Sequence, residues 1–162
     1  MSSLVFHLSS VSDFEILGKI GEGSYSEVFR VVHRKTGAIF ALKIIKKEVI
    51  KKMMIEDALV REIKINMYLD HPNLAKLYHF FDDEAQVYLI CEYATNKNVY
   101  ELANQPRLKL KKGLFSGKVA NIIGQLCEGV RFMHNHFVIH RDIKPENVLL
   151  TMVIQQECSS IL

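Results

Sequence analysis

Near residue 55 the apolar residues change period, and that change limits the chain to a fold with a β part and a helical part. Before it, three short β-rich runs stand out: Phe14 to Ile20, Val28 to Val32, and Ile39 to Ile45. Gly21-Glu22-Gly23 and Lys35-Thr36-Gly37 separate them, so the runs read as an antiparallel meander. After it, Ile55, Ala58, Leu59, Ile63 and Met67 recur at helical spacing. His71-Pro72-Asn73 ends that helix, because proline disfavours helical backbone at the residue before it. Leu74 to Phe81 and Gln86 to Tyr93 read as two more strands around the acidic turn Asp82-Asp83-Glu84. A polar connector over 95–114 follows, with a short helix at Val99 to Ala103. Residues 116–136 carry a second long helical pattern through Val119, Ile122, Ile123, Leu126, Val130 and Met133, although Gly124 and Gly129 lower its helix propensity. Phe137-Val138-Ile139 then reads as a short apolar strand before a polar loop and Val148-Leu149-Leu150.

At 162 residues the chain is long enough to bury one sizeable core, and its balance of 49% hydrophobic and 24% charged residues excludes a disordered or fibrous chain. Cys91, Cys127 and Cys158 lie far apart without a C-x-x-C pair, so they read as reduced thiols of an intracellular protein. No apolar run reaches the roughly 18 residues that span a bilayer. The start, MSSLVFHLSS, lacks the basic end and apolar core of a signal peptide. Residues 1–90 hold 12 basic and 12 acidic residues, so the net +3 falls entirely on the rest. The basic runs Lys46-Lys47, Lys51-Lys52 and Arg107 to Lys112 read as solvated faces, not as a nucleic-acid footprint, since acidic residues or a lack of aromatics accompany them. His134, His136 and His140 make a poor metal site, with no further Cys or His to complete four ligands.

Three motifs carry chemistry. Gly21-Glu22-Gly23-Ser24-Tyr25-Ser26-Glu27-Val28 sits between two strands, where glycines let backbone N–H groups approach phosphate oxygens. A plain hairpin needs glycines there too. No Gly-Lys-Ser/Thr follows, and a strand follows instead of a helix, so neither a Walker loop nor a dinucleotide turn fits. Lys43, in Ala41-Leu42-Lys43, is a cation in an apolar strand, suited either to holding phosphates or to snorkelling at an edge. Glu62 on the next helix can pair with it, or be an ordinary surface charge. The third motif is the most specific: His140-Arg141-Asp142-Ile143-Lys144-Pro145-Glu146-Asn147. Asp142 can accept a hydroxyl proton, Lys144 can neutralise a transferred phosphoryl group, and Asn147 can offer an amide oxygen to Mg²⁺.

Taken in order, these motifs resemble the signature of eukaryotic protein kinases from about Asp13 to Leu150. The implied fold is α+β: an antiparallel β small lobe with one main helix, then the first part of a mainly helical large lobe. The implied boundaries are an N-terminal segment over 1–12, small lobe and hinge over 13–94, partial large lobe over 95–150, and a tail over 151–162. Lys144 resembles the serine/threonine class. DFEILGKIGEGSYSEVF, REIKI before HPNL, VYLICEYA before NVYEL, and VIHRDIKPENVLL are similar to the Aurora family, with Polo-type kinases as the alternative. The resemblance implies ATP and Mg²⁺ as cofactors. Ile20, Val28 and Ala41 would cover adenine from one side and Leu149 from the other. The loop from Gly21 to Ser26, with Gly21, Gly23 and Ser26 at its motif positions, would cover the phosphates, and Lys43 would hold the α- and β-phosphates while paired with Glu62. Cys91 would be the gatekeeper, and Glu92 to Ala94 the hinge that bonds adenine through its backbone. Asp142 would be the catalytic base, Lys144 the γ-phosphate partner and Asn147 a Mg²⁺ ligand.

The sequence departs from the family pattern at two places. Ser26 replaces the third glycine. After Leu150 the chain reads TMVIQQECSSIL, with no Asp-Phe-Gly and no Ala-Pro-Glu, and the surroundings of Glu157 do not resemble the missing metal motif. The expectation is a serine/threonine protein kinase acting on protein Ser/Thr, present as a truncated chain with impaired activity. The alternative is an inactive fragment that binds ATP or a regulatory protein partner; a gene-model or splicing artefact is a third reading. Ile122, Ile123, Leu126 and Val130 are expected to lack part of their cover, which favours aggregation or a partner. Neither nucleic acid nor membrane is expected as a partner. Cytoplasm or nucleus, with spindle or centrosome, is implied by Aurora analogy alone.

Overall fold

A computed structural model describes residues 10–96, 98–104, 116–153 and 156–161. The readings made for residues 1–9, the run Arg107 to Lys112 and most of the 95–114 connector lie outside them, as do the side chains of Glu157 and Cys158. The chain divides into two compact units, Met1–Tyr68 with Lys76–Tyr93, and Leu69–Ala75 with Ala94–Leu162.

The first unit is built on five antiparallel strands. β1 (Phe14–Glu22), β2 (Ser26–His33) and β3 (Ile39–Lys46) form the expected meander. β4 (Leu77–Asp82) and β5 (Gln86–Glu92) complete the sheet in the order β1-β2-β3-β5-β4, which leaves β4 at an edge. Alternation along β3 sends Phe40 and Leu42 into one cluster with Phe14, Val31, Tyr88 and Ile90. It sends Ile45 into the other, with Ile50, Leu59, Ile63, Leu77 and Leu89. The second cluster is where the helices pack. α2 (Glu56–Tyr68) buries Leu59 and Ile63, four residues apart on one face. α1 (Lys47–Met53) precedes it and was not anticipated, because its one buried residue, Ile50, sets up no periodicity. Its charges do follow the helix dipole, with Glu48 in the first turn and Lys51 and Lys52 in the last. Ahead of β1, Val11–Asp13 form a 3₁₀ turn with a capping box at Ser10, and Val11 packs on the first cluster.

β4 starts at Leu77, not Leu74. Residues 71–74 instead form a turn closed by Leu74 N–H to His71 O at 2.9 Å, and Asn73 N–H donates to His71 Nδ1 at 3.1 Å.

In the second unit, α3 (Val99–Ala103) is capped by the Asn98 side chain, which accepts from Glu101 N–H at 2.8 Å. α4 (Ser116–Asn135) is continuous through both glycines. β6 (Val148–Val153) pairs antiparallel with β7 (Gln156–Ile161), and β7 runs beside α4. The expected exposure of the α4 stripe is corrected in part. Ile122 is buried against Val148 and Leu150, Leu126 packs on that cluster and Val130 is half-buried, so of the four only Ile123 is exposed. Phe137-Val138-Ile139 is not a strand. Val138 N–H donates to Met133 O at 3.0 Å, Phe137 takes a left-handed φ of 60°, and the segment is the C-terminal cap of α4. A run of three apolar residues carries no period, so its sequence fits a strand and a helix cap equally. Among the described residues, no helix is long and apolar enough to cross a membrane.

Candidate active site

In the first unit, register places Gly21, Val28, Lys43 and Leu89 in one row across β1, β2, β3 and β5. Directly paired antiparallel residues share a face, so Lys43 points to the side where α2 packs. Glu62 stands next to Ile63 at the margin of the buried stripe of α2, and that placement brings it to Lys43. Lys43 Nζ lies 3.3 Å from Glu62 Oε1, with the lysine side chain 15% exposed and the glutamate 40%. Lys43 Nζ also lies 5.7 Å from the centre of the Tyr25 ring.

The β1–β2 hairpin carries the glycines. Gly23 N–H donates to Ser26 O at 2.8 Å, closing the hairpin, so this N–H is spent on the backbone. A Cβ at Gly23 would come within 2.9 Å of Ser26 Oγ, a hydroxyl that a rotamer change moves aside, so space alone does not require the glycine. Outside the turn, Lys19 Nζ reaches Glu22 Oε2 at 2.8 Å and Glu27 Oε1 at 2.7 Å. It joins two like charges that face each other across the ladder, and this clamp was missed in the sequence. The bond to Lys19 is the main cause holding the Glu27 carboxyl below its usual range.

Of the positions assigned to adenine, Ala41 is buried, Val28 is half-buried and Ile20 is 49% exposed; all three belong to the first unit. Leu149 is half-buried on β6 in the second unit, bridged to Asn98. At the end of β5, Glu92 N–H donates to Lys76 O at 2.8 Å, so its carbonyl is the backbone group it can offer a ligand. Ala94 is half-buried and begins the second segment of the second unit. Cys91, paired with Ala41, shares the Lys43 face. Burial pushes its thiol up to about 11, with the Lys43 ammonium opposing and Glu62 adding to the rise.

The loop before β6 is tightly self-connected. Lys144 Nζ lies 2.9 Å from Asp142 Oδ2. Asn147 Nδ2 donates to Asp142 Oδ2 at 2.7 Å and to its carbonyl at 2.9 Å. Asp142 N–H donates to His140 Nδ1 at 3.2 Å, a positioning contact the sequence did not announce. Pro145–Asn147 form a 3₁₀ turn, with proline suited to its first position, and that turn swings Asn147 back to Asp142. Arg141 holds a φ of 67°, a left-handed backbone that costs a non-glycine residue about 1–2 kcal/mol. Lys144 and then Asn147 hold the Asp142 carboxyl below its usual range, while Asp142 raises Lys144. The result is an exposed, ionised, acceptor-only carboxylate with an ammonium and an amide beside it. Among the described residues, no cluster of three His, Cys, Asp or Glu is placed to hold a metal ion.

A five-stranded antiparallel unit with a strand lysine tied to a helix glutamate, joined in sequence to a loop of this chemistry, defines a class. The family model for the protein kinase domain matches residues 14–157, and the chain belongs to that family. Proteins of this family are in general ATP- and Mg²⁺-dependent and act on protein substrates. Among curated proteins the chain is similar to the Aurora kinase of Saccharomyces cerevisiae, at 41% identity over 90% of this chain and 38% of the yeast protein. It is 38% identical to Aurora kinase B of Mus musculus over 87% of this chain and 39% of that protein. Aurora kinase C of Mus musculus is 37% identical over 87% of this chain and 49% of that protein. The chain therefore spans about two-fifths of the length of the first of these relatives.

Proposed function

We propose that this chain supplies the nucleotide-holding and proton-accepting parts of a serine/threonine protein kinase that transfers the γ-phosphoryl group of ATP to a protein hydroxyl. The observation that carries the reading is the Asp142 carboxylate held between Lys144 and Asn147 within one short loop. Phosphoryl transfer asks the protein for positioning and charge stabilisation. Asp142 accepts the hydroxyl proton at Oδ1 or Oδ2. Lys144 neutralises charge on the transferred group. Lys43, oriented by Glu62, holds the α- and β-phosphates, and Gly21, Gly23 and Ser26 cover them. Ile20, Val28 and Ala41 of the first unit and Leu149 of the second are the positions assigned to adenine, and Glu92 and Ala94 those assigned backbone bonds to it.

The donor set fits Mg²⁺ in kind. Asn147 spends its amide nitrogen on Asp142, which leaves Oδ1 as the hard oxygen it can offer a cation. When bound, the ion supplies charge neutralisation between the phosphates. These 162 residues contain no Asp-Phe-Gly. They are expected to bind nucleotide better than they transfer phosphoryl, because the transition state depends more on that missing charge than the ground state does. A cellular site at spindle or centrosome follows only from likeness to the Aurora kinases, and a regulatory protein partner only from the absent Asp-Phe-Gly and the part-covered α4 stripe.

The test measures Mg-ATP binding by titration calorimetry and transfer of labelled phosphate to a mixed Ser/Thr peptide pool. Binding is expected in the wild type and lost in Lys43→Met. Any transfer is expected to fall at least a hundredfold in Asp142→Asn, with binding retained. No nucleotide binding by the folded wild type, or transfer unaffected by Asp142→Asn, sinks the proposal.

A further inference from the structure

We infer that Tyr25 is a second holder of the Lys43 ammonium, a positioning residue that acts together with Glu62. Residues at the tip of a hairpin ordinarily point to solvent, and Gly23 and Ser24 do. Tyr25, next in sequence, is half-buried and packs against the cluster of Ile45, Ile50, Leu59, Ile63, Leu77 and Leu89. That is the cluster α2 uses to seat itself on the sheet. With its ring centre 5.7 Å from Lys43 Nζ, Tyr25 is within the range where an ammonium is drawn to the negative face of an aromatic ring.

Glu62 by itself is a weak anchor. The 3.3 Å separation is long for a charge-assisted bond, and a carboxylate 40% exposed is screened by water. Tyr25 adds a contact of another kind and shares in covering a lysine side chain that is only 15% exposed. An ammonium has three donors and no acceptor. A ring face can fix its position without consuming a donor in a strong bond, which leaves N–H groups for phosphate oxygens. The inference deepens the proposed nucleotide role of Lys43 and rests on it for its functional consequence. It also ties the hairpin, β3 and α2 to one point, because Tyr25 touches both the cation and the apolar seat of the helix.

The test compares Tyr25→Phe, which keeps the ring face, with Tyr25→Leu, which keeps bulk and loses it. In the ligand-free chain, the ε-methylene protons of Lys43, assigned by their loss in Lys43→Met, are expected to show an upfield ring-current shift. Tyr25→Phe retains that shift and Tyr25→Leu abolishes it. Mg-ATP affinity is expected to fall roughly two- to fivefold in Tyr25→Leu and to be rescued in Tyr25→Phe. Thermal melts of both variants confirm that each is folded. A Lys43 shift that Tyr25→Leu leaves unchanged overturns the inference, whatever the nucleotide result. So does a Leu variant that binds Mg-ATP as tightly as, or more tightly than, a wild type that binds it. If the wild type shows the shift but no nucleotide binding, the contact stands and the phosphate role of Lys43 falls.

Discussion

At the scale of single residues, the first unit keeps two weak acids neutral. Tyr88 is buried on β5, and its hydroxyl donates to Asp83 Oδ2 at 2.8 Å. Burial first, and then the bond to Asp83, raises its phenol from 10.0 to about 12. Burial raises Cys91 from 9.0 to about 11. For both, the unfolded chain gives up the proton first, so their contribution to stability is complete below pH 9 and is lost as pH rises from about 9 to about 12. A urea midpoint falling over that window checks this, and a midpoint flat to pH 11 contradicts it. The same protonation predicts that Cys91 resists iodoacetamide at pH 8 in the folded chain, while exposed Cys127 is alkylated; peptide mapping reads both. Phe137 shows a local cost of another sort. It is 98% exposed and sits in the left-handed cap position that glycine fills without strain. Phe137→Gly is expected to stabilise the chain by about 1 kcal/mol, measured by chemical denaturation.

At the scale of elements, the two glycines of α4 behave oppositely although the sequence presents them alike. A Cβ at Gly129 would come within 3.0 Å of Asn73 O and 3.3 Å of Asn73 Cβ. The 69–75 segment lies directly on the helix there, with Asn73 Nδ2 bonded to Gln125 Oε1 at 3.2 Å and the His71 and Phe132 rings 4.8 Å apart. Gly124 has nothing within 4 Å. Gly129→Ala is therefore expected to cost about 1–3 kcal/mol, because the obstacle is backbone and cannot swing aside. Gly124→Ala is expected to gain about 0.5–1 kcal/mol from helix propensity alone. Denaturation midpoints of the two variants that move in the same direction contradict this assignment of roles.

At the scale of the whole molecule, each unit has its own core, and the catalytic assignments divide between them. Lys43 and Glu62 stand on the sheet and helix of one unit; Asp142, Lys144 and Asn147 stand on a loop of the other. The two neutral acids, Cys91 and Tyr88, both belong to the first unit. Alkaline loss of stability is accordingly expected to begin there. Amide exchange at pH 10 and above is expected to accelerate in β3 and β5 before it does in α4. Exchange that accelerates first in α4 contradicts the placement of the alkaline weakness.

Much of this was legible in the sequence because local chemistry repeats there without ambiguity. The apolar run from Ile39 to Ile45, the 55–67 helical stripe, and the order of types from His140 to Asn147 each state their structure within a few residues. The short helix at Lys47–Met53 was not legible, since seven residues with one buried position carry no period. The apolar run at Phe137 misled, because hydrophobicity cannot tell a strand from a helix cap. Sequence by itself determined the family motifs and which residue types the site holds. Only tertiary structure decided that Ile122 is covered by the β6 strand, that Gly129 marks a close approach, that Gly23 spends its N–H on the hairpin, and that Tyr25 reaches Lys43. Each of these depends on which distant segment lies opposite, and a one-dimensional pattern records a residue's own preference, not its neighbour across space.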